Sequence, residues 1–355
     1  MYICCKLKYF CMKSMMLTGI RQMEMAEVPE PSIIKTDDVK IRMLVVGVCG
    51  SDIHYYTHGK IGSQVVEYPF PVGHEGAGVV VETGSSVRKI MPGDIIAIEP
   101  AMPCGKCDQC LSGRPNTCRK LLFLGCPGQA EGCLKEYIVM PESCCFLLKG
   151  GLNADHGAIS EPLAIGVYSV ERSGLLKGKK VGILGFGPIG MSVMLAAKAE
   201  GAEKIFVTDK IDPRLAIAKK EGAVSVLNPH TEDIVKSILD VEPLGLDVVF
   251  ECCGEQDAFD QGIDILRPGC TLMVVGIPEF DRWSMSVDKT RRRELTVRFV
   301  RRQAECTGKA LDMMMNSRID ISGMITHRFP FTRTKDAFDL VAAYGDGVMK
   351  AMIDF

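Results

Sequence analysis

Six consecutive residues, Gly185-Phe186-Gly187-Pro188-Ile189-Gly190, constrain the fold of this chain more than any others. They follow the apolar run KKVGIL at 179–184 and open a helical stretch. In a G-x-G-x-x-G turn between strand and helix, the first glycine makes the tight turn. The second lets an anionic group approach the backbone, and the third lets the helix pack on the strand. The free N–H groups at such a helix start carry partial positive charge and suit a phosphate. The stretch from Val181 to Ala199 is long enough to cross a membrane. Its clustered glycines and Lys198 fit a strand–turn–helix unit better.

The surroundings repeat the unit. Apolar runs at 181–185, 204–209, 224–227, 247–251, 271–276 and 295–299 alternate with helical stretches such as PRLAIAKKEGA and DAFDQGIDILRPG. Near-continuous apolar strands separated by helices predict a parallel sheet buried on both faces. Six such strands are the number in a doubly wound, dinucleotide-binding sheet of the Rossmann type. Asp209 ends the second run, 19 residues past Gly190. A carboxylate there accepts from the adenosine ribose hydroxyls and repels a 2′-phosphate, which favours NAD over NADP. Lys210 and Arg214 pull the other way, as cations able to accept a phosphate.

Residues 14–160 have another rhythm. VKIRMLVVGV, GAGVVVETG, DIIAIEP and LKEYIVMP are short β-like runs separated by turn residues, as in a barrel-like β domain. The last stretch offers a helix near 308–317 and the strand-like THRFPF. The expected division is an extension without fixed structure at 1–13, a β-rich domain at 14–163, a coenzyme domain at 164–302, and a return to the first domain at 303–355. The fold class is α/β with two domains.

The 355 residues are 47% hydrophobic and 24% charged, with a net charge of −2. That balance excludes a basic nucleic-acid footprint and an acidic tail. Sixteen cysteines are too sparse for a disulfide scaffold. Five fall into metal-binding patterns, and Cys144-Cys145 and Cys252-Cys253 are adjacent pairs. This usage suits a reducing, cytoplasmic setting. The opening MYICCKLKYFCMK lacks the apolar core and cleavage site of a signal peptide. Extra metal binding by Cys4, Cys5 and Cys11 is a minor alternative for it.

Cys104, Cys107, Cys110 and Cys118 form C-x2-C-x2-C-x7-C. Four thiolates close around one tetrahedral zinc and leave no open position, so the site is structural. An iron–sulfur cluster is the alternative, but no second cluster motif accompanies it. A different set lies in GVCGSDIHYY, PFPVGHEGAGVV and ISEPLAIGVY: Cys49, His74, Glu75 and Glu161. One thiolate, one imidazole and one or two carboxylates leave room on a zinc for substrate or water, the layout of a catalytic metal.

With these motifs in this order, together with LGFGPIGM, VTD and THRFP, residues 14–355 resemble the zinc-dependent medium-chain dehydrogenases, closest to the sorbitol (L-iditol) and polyol dehydrogenase branch. The resemblance implies a GroES-like β-rich catalytic domain beside the Rossmann domain. It makes Cys49 and His74 zinc ligands, with Glu75 and Glu161 both standing for the third place. Asp52 would fix the tautomer of His74. Ser51 and His54 match proton-relay positions, with a water near Glu161 as a second route. Coenzyme contacts carry over to Gly185, Gly187, Pro188, Ile189, Gly190, Asp209, Arg214, Val275, Gly276, Ile277, Val300, Arg301 and Arg302. Tyr55, Glu161, Arg302 and Gln303 would meet the substrate. Arg302-Gln303 departs from the Arg-Tyr of the animal members, and Phe123 lines the pocket or packs. The implied reaction is hydride transfer from a sugar alcohol of the sorbitol, xylitol or threitol type to NAD, giving a ketose. The rivals are dehydrogenases of 2,3-butanediol, L-threonine or simple secondary alcohols, and, outside catalysis, a nucleotide-binding zinc protein. One catalytic and one structural zinc per chain, a small-molecule substrate, a homo-oligomer (dimer or tetramer), and no nucleic-acid or membrane partner complete the expectation.

Overall fold

The computed structural model describes residues 11–355. The expected extension lies outside the described residues as far as position 10. Its last three residues belong instead to the strand Cys11–Gly19, where the side chain of Met12 is buried. Cys4 and Cys5 therefore fall outside the described residues, and Cys11 starts a strand.

The six parallel strands appear where the apolar runs predict them. Across the sheet they run Ser225–Leu227, Lys204–Thr208, Lys180–Leu184, Leu246–Glu251, Leu266–Val274 and Thr296–Phe299. Counted along the chain this is the order 3-2-1-4-5-6 of the doubly wound dinucleotide fold. All six residues of Leu246–Glu251 are buried, as expected for a central strand covered on both faces. One boundary differs. LRPG, read as a helix end, belongs to the fifth strand, whose register with Leu246–Glu251 shifts between the pairs Leu246–Leu266 and Val248–Thr271. Pro268 and Gly269 sit in that irregular stretch and stop the helix at Ile265.

The β-rich half is built on a seven-stranded sheet. Its main path runs Cys145–Leu147, Ile95–Ile98, Glu75–Thr83, Asp38–Gly47, Lys350–Asp354 and Ile325–Pro330, with Tyr137–Pro141 pairing alongside Asp38–Gly47. The last two strands of the chain thus return to the first sheet.

A helix absent from the sequence reading, Ala154–Ser173, joins the halves. The Asn153 side chain caps its start by accepting from His156 N at 3.2 Å. Ala158, Ile159, Leu163 and Val167 on this helix share one apolar core with Val45, Ala77 and Ala97 of the first sheet and with Val181, Ile183 and Met191 of the second half. At Gly166 an added Cβ would come within 2.5 Å of the Ser192 backbone, so glycine lets this helix cross the helix Pro188–Ala199 at backbone distance. No helix among the described residues is long and apolar enough to cross a membrane.

Candidate active site

Metal-ligating side chains gather where two neighbouring strands end. Gly47 closes one strand opposite Glu75, the first residue of the next. Two residues on, Cys49 is the N-cap of the helix Gly50–His58. Donor atoms of Cys49, His74 and Glu75 lie within 4.8 Å of one another. One thiol, one imidazole and one carboxylate are a set that fits zinc and leaves a coordination place open.

Asp52, fully buried, organises the group. One carboxylate oxygen accepts from Gly73 N at 3.3 Å and faces His74 Nδ1 at 3.3 Å. The other accepts from Cys49 N at 3.4 Å. With Nδ1 turned to Asp52, Nε2 is the ring nitrogen that could ligate a metal. Burial works against a charged His74 ring, but Asp52 and Cys49 outweigh it and hold its pKa well above the usual value.

Glu75, not Glu161, completes the gathered set. Its two oxygens accept from Lys350 Nζ at 2.7 and 2.5 Å. That ammonium, buried like Glu75, also donates to Val48 O at 3.1 Å. Glu161 lies beyond, on the joining helix, with its buried Oε2 lacking a partner. Burial lifts the Glu161 carboxyl to about 7; His74 pulls it down, and Glu75 and Glu99 push it up. Ser51 Oγ donates to Cys49 Sγ at 3.4 Å, whereas His54 sits at the cleft mouth, 3.6 Å from Glu279.

The four loop cysteines also converge, with sulfur atoms within 4.8 Å. Backbone N–H groups of Cys104 and Lys120 donate to Cys118 Sγ at 3.3 and 3.4 Å. The N–H groups of Cys110 and Arg119 bring the Cys107 thiol down to about 6. Donors aimed at sulfur favour thiolates, and four thiolates fit a closed zinc site. The 13 described cysteines other than Cys11 are free of disulfides.

In the coenzyme turn, Gly185 has φ +92°, a conformation that favours glycine. At Gly190 an added Cβ would collide with the Gly185 carbonyl oxygen, so the helix start lies directly on the turn. Asp209 braces the same turn, accepting from Phe186 N at 2.6 Å and from Ile211 N at 2.8 Å. Arg214 is turned to the Val348 carbonyl, to which it donates from Nε at 2.9 Å and Nη2 at 2.6 Å. Val275, Gly276 and Ile277 follow the fifth strand, and the N–H groups of Val275 and Gly276 donate to Glu251 O at 2.8 and 3.0 Å. Val300 continues past the sixth strand, its N–H on Val274 O at 2.9 Å.

At the other end of the cleft, the Arg302 guanidinium lies 3.5 Å over the Phe123 ring. Burial, and then Arg301, brings its pKa down to about 10, so it stays charged at neutral pH. Arg302 Nη1 is buried without a partner. Tyr55 OH donates to Gln64 Oε1 at 3.2 Å and lies 3.7 Å from Cys126 Sγ. Burial and Cys126 push its pKa up, which keeps it a neutral hydroxyl. Gln303, expected at the substrate, is engaged elsewhere. Its amide donates to Glu99 and to Thr307 Oγ1, and its carbonyl accepts from Cys306 N at 2.8 Å. Both ends of the amide are thus taken, which leaves none for a substrate.

Five site residues escape the sequence reading: Lys350, Gln64, Cys126, Glu99 and Glu251. Lys350 leaves one usable signal, a lone cation in the apolar run VMKAMIDF. Glu251 leaves another, a carboxylate at a strand's carboxyl end. It is fully buried there, with Oε2 lacking a partner.

Two stretches of the chain match family models. Residues 35–150 match the alcohol dehydrogenase GroES-like domain, and residues 188–316 match the zinc-binding dehydrogenases. A sorbitol dehydrogenase of Bacillus subtilis is 34% identical over 96% of this chain and 97% of its own length. An L-idonate 5-dehydrogenase of Vitis vinifera is 32% identical over 95% of this chain and 93% of its own. Among solved structures, an Escherichia coli oxidoreductase of unknown specificity superposes with a TM-score of 0.92 at 31% identity, covering 97% of this chain and 99% of that one.

Two predictions follow from this geometry. Zinc analysis of the loaded protein is expected to give two ions per chain. Cys49→Ala should lose one and keep its fold. Cys107→Ser should lose the other, with Tm lowered by about 4 °C or more. Two zinc ions retained in both variants would contradict the assignment. Asp209→Ala should raise the NAD dissociation constant relative to that of NADP by about tenfold, or 1.4 kcal/mol. The ratio cancels the loss of the Phe186 bond, which affects both coenzymes. An unchanged ratio in titrations of the two would remove Asp209 from ribose recognition.

Proposed function

Because the chain belongs to the zinc-binding alcohol dehydrogenase family, we propose that it oxidises a secondary hydroxyl of a sugar alcohol to a ketone, giving a ketose, with NAD as acceptor. The observation that carries the substrate class is Arg302, a half-buried cation with a buried, unpartnered donor. A buried donor left unsatisfied costs about 1–3 kcal/mol. A polyhydroxylated ligand supplies acceptors for it, and a simple alcohol does not. The names of the relatives point the same way, being those of a sorbitol and an idonate dehydrogenase.

When bound, the zinc supplies a Lewis acid that acidifies a neighbouring hydroxyl, and NAD supplies the hydride acceptor. The chain's own residues do the rest. Asp52 holds His74 in its ligating orientation. Arg302 and Tyr55 grip hydroxyls away from the reacting carbon and so orient it. Glu161, whose buried Oε2 has no partner, is the carboxyl placed to take up or release a proton. Ser51 and His54 provide the proton's way out toward the mouth of the cleft. Asp209 selects NAD, since Arg214, the nearest internal cation, is committed to Val348. The absence of disulfides among the described cysteines other than Cys11 supports a cytoplasmic setting, and the family resemblance supports a dimer or tetramer of identical chains.

The test is a substrate panel with NADH absorbance as readout, covering sorbitol, xylitol, threitol, 2,3-butanediol, L-threonine and isopropanol. A polyol should give by far the highest kcat/KM. Arg302→Ala should lower that value by about a hundredfold or more while changing isopropanol oxidation by only a few-fold. Preference of the wild type for isopropanol or butanediol, or an equal fall in both activities, would replace the polyol reading with a general secondary-alcohol one.

A further inference from the structure

Outside the two zinc sites, a third set of metal-ligating side chains stands at the mouth of the cleft. His54 and His58 lie four residues apart on the helix Gly50–His58, so they share one helix face. Glu279 reaches them from the opposite half, in the segment beyond the fifth parallel strand. One ligand atom from each of the three lies within 4.8 Å of the other two. His54 Nδ1 is 3.6 Å from Glu279 Oε1, and the two imidazole rings are 6.2 Å apart, tilted by 36°. Thr57 Oγ1 lies 2.9 Å from His58 Nδ1 and steadies that ring. Ile61, Ile277 and Pro278 wall the same concavity, with Lys60 on its rim.

We propose that His54, His58 and Glu279 form a third metal site, for a divalent transition cation of the zinc or nickel class, that bridges the two halves of the molecule and inhibits turnover. Two imidazoles and one carboxylate are the donors such ions prefer, and the exposed mouth leaves remaining positions to water. Burial lowers the pKa of His54, so its ring is neutral and able to ligate at ordinary pH. A cation held there ties the helix of the β-rich half to the Ile277–Glu279 segment of the coenzyme half. Opening of the cleft for coenzyme exchange then requires the cation to leave. The inhibitory consequence rests on the dehydrogenase reading given above; the binding does not.

The experiment uses the tag-free, zinc-loaded enzyme and nickel chloride as probe. Equilibrium dialysis with metal analysis should find one nickel per chain with the resident zinc retained. Copper should bind more tightly and cobalt more weakly, following the usual affinity order. His58→Asn and Glu279→Gln should each raise the nickel dissociation constant by about tenfold or more. Nickel should lower turnover of the wild type and leave His58→Asn unaffected, with the basal rate of that variant unchanged. Wild type that binds no nickel overturns the site, as do variants that bind it as well as wild type. Nickel binding that both substitutions abolish, without any change in wild-type turnover, would keep the site and overturn its inhibitory role.

Discussion

The buried pair of Lys350 and Glu75 holds the active site together. Lys350 belongs to a C-terminal strand that enters the first sheet beside Asp38–Gly47, and its ammonium lies under the Glu75 carboxylate and the Val48 carbonyl. Removing one member of such a pair leaves an uncompensated buried charge and costs about 3–5 kcal/mol. The pair therefore explains why the chain, after completing its parallel sheet, returns to the first domain. It also places the third metal donor. Glu75 gathers with Cys49 and His74, while Glu161 keeps an oxygen without a partner.

The closed cysteine lobe is coupled to the cleft through Asn116, which follows the loop's third cysteine. Its side-chain amide donates to Arg301 O at 2.8 Å and to Tyr168 OH at 3.3 Å. Arg301 precedes Arg302, whose φ of +52° is uncommon for a residue with a side chain. Gln303, pinned by Glu99 and Thr307, accepts from Cys306 N and so fixes the backbone on the far side. The unusual Arg302 conformation is thus held from both flanks. That links a structural lobe to the placement of the cation proposed to meet the substrate.

The doubly wound sheet was legible because its strands are buried on both faces and read as unbroken apolar runs, each followed by a helix. The ligand sets were legible because Cys104, Cys107, Cys110 and Cys118 sit close together in sequence. Cys49, His74 and Glu75 were legible through family resemblance more than through any spacing of their own. The helix Ala154–Ser173 was hidden by its composition. It is buried toward both halves, shows no single apolar stripe, and carries Pro162 in its interior. Gln303 was misjudged because adjacency to Arg302 says nothing of direction, and its side chain turns back toward Glu99. Lys350 lies 275 residues from Glu75, and local pattern cannot announce a pairing over that separation.

Direct hydride transfer from a carbinol carbon to the coenzyme is the step that the two metal sites, the coenzyme turn and the Arg302 pocket would jointly serve. It is tested by turning over sorbitol deuterated at every carbon with unlabelled NAD and weighing the products by mass spectrometry. Each NADH formed should carry one deuterium, and the ketose should carry none at the oxidised carbon. NADH formed without deuterium, or no NADH from any polyol while the protein holds both zinc ions, would contradict it.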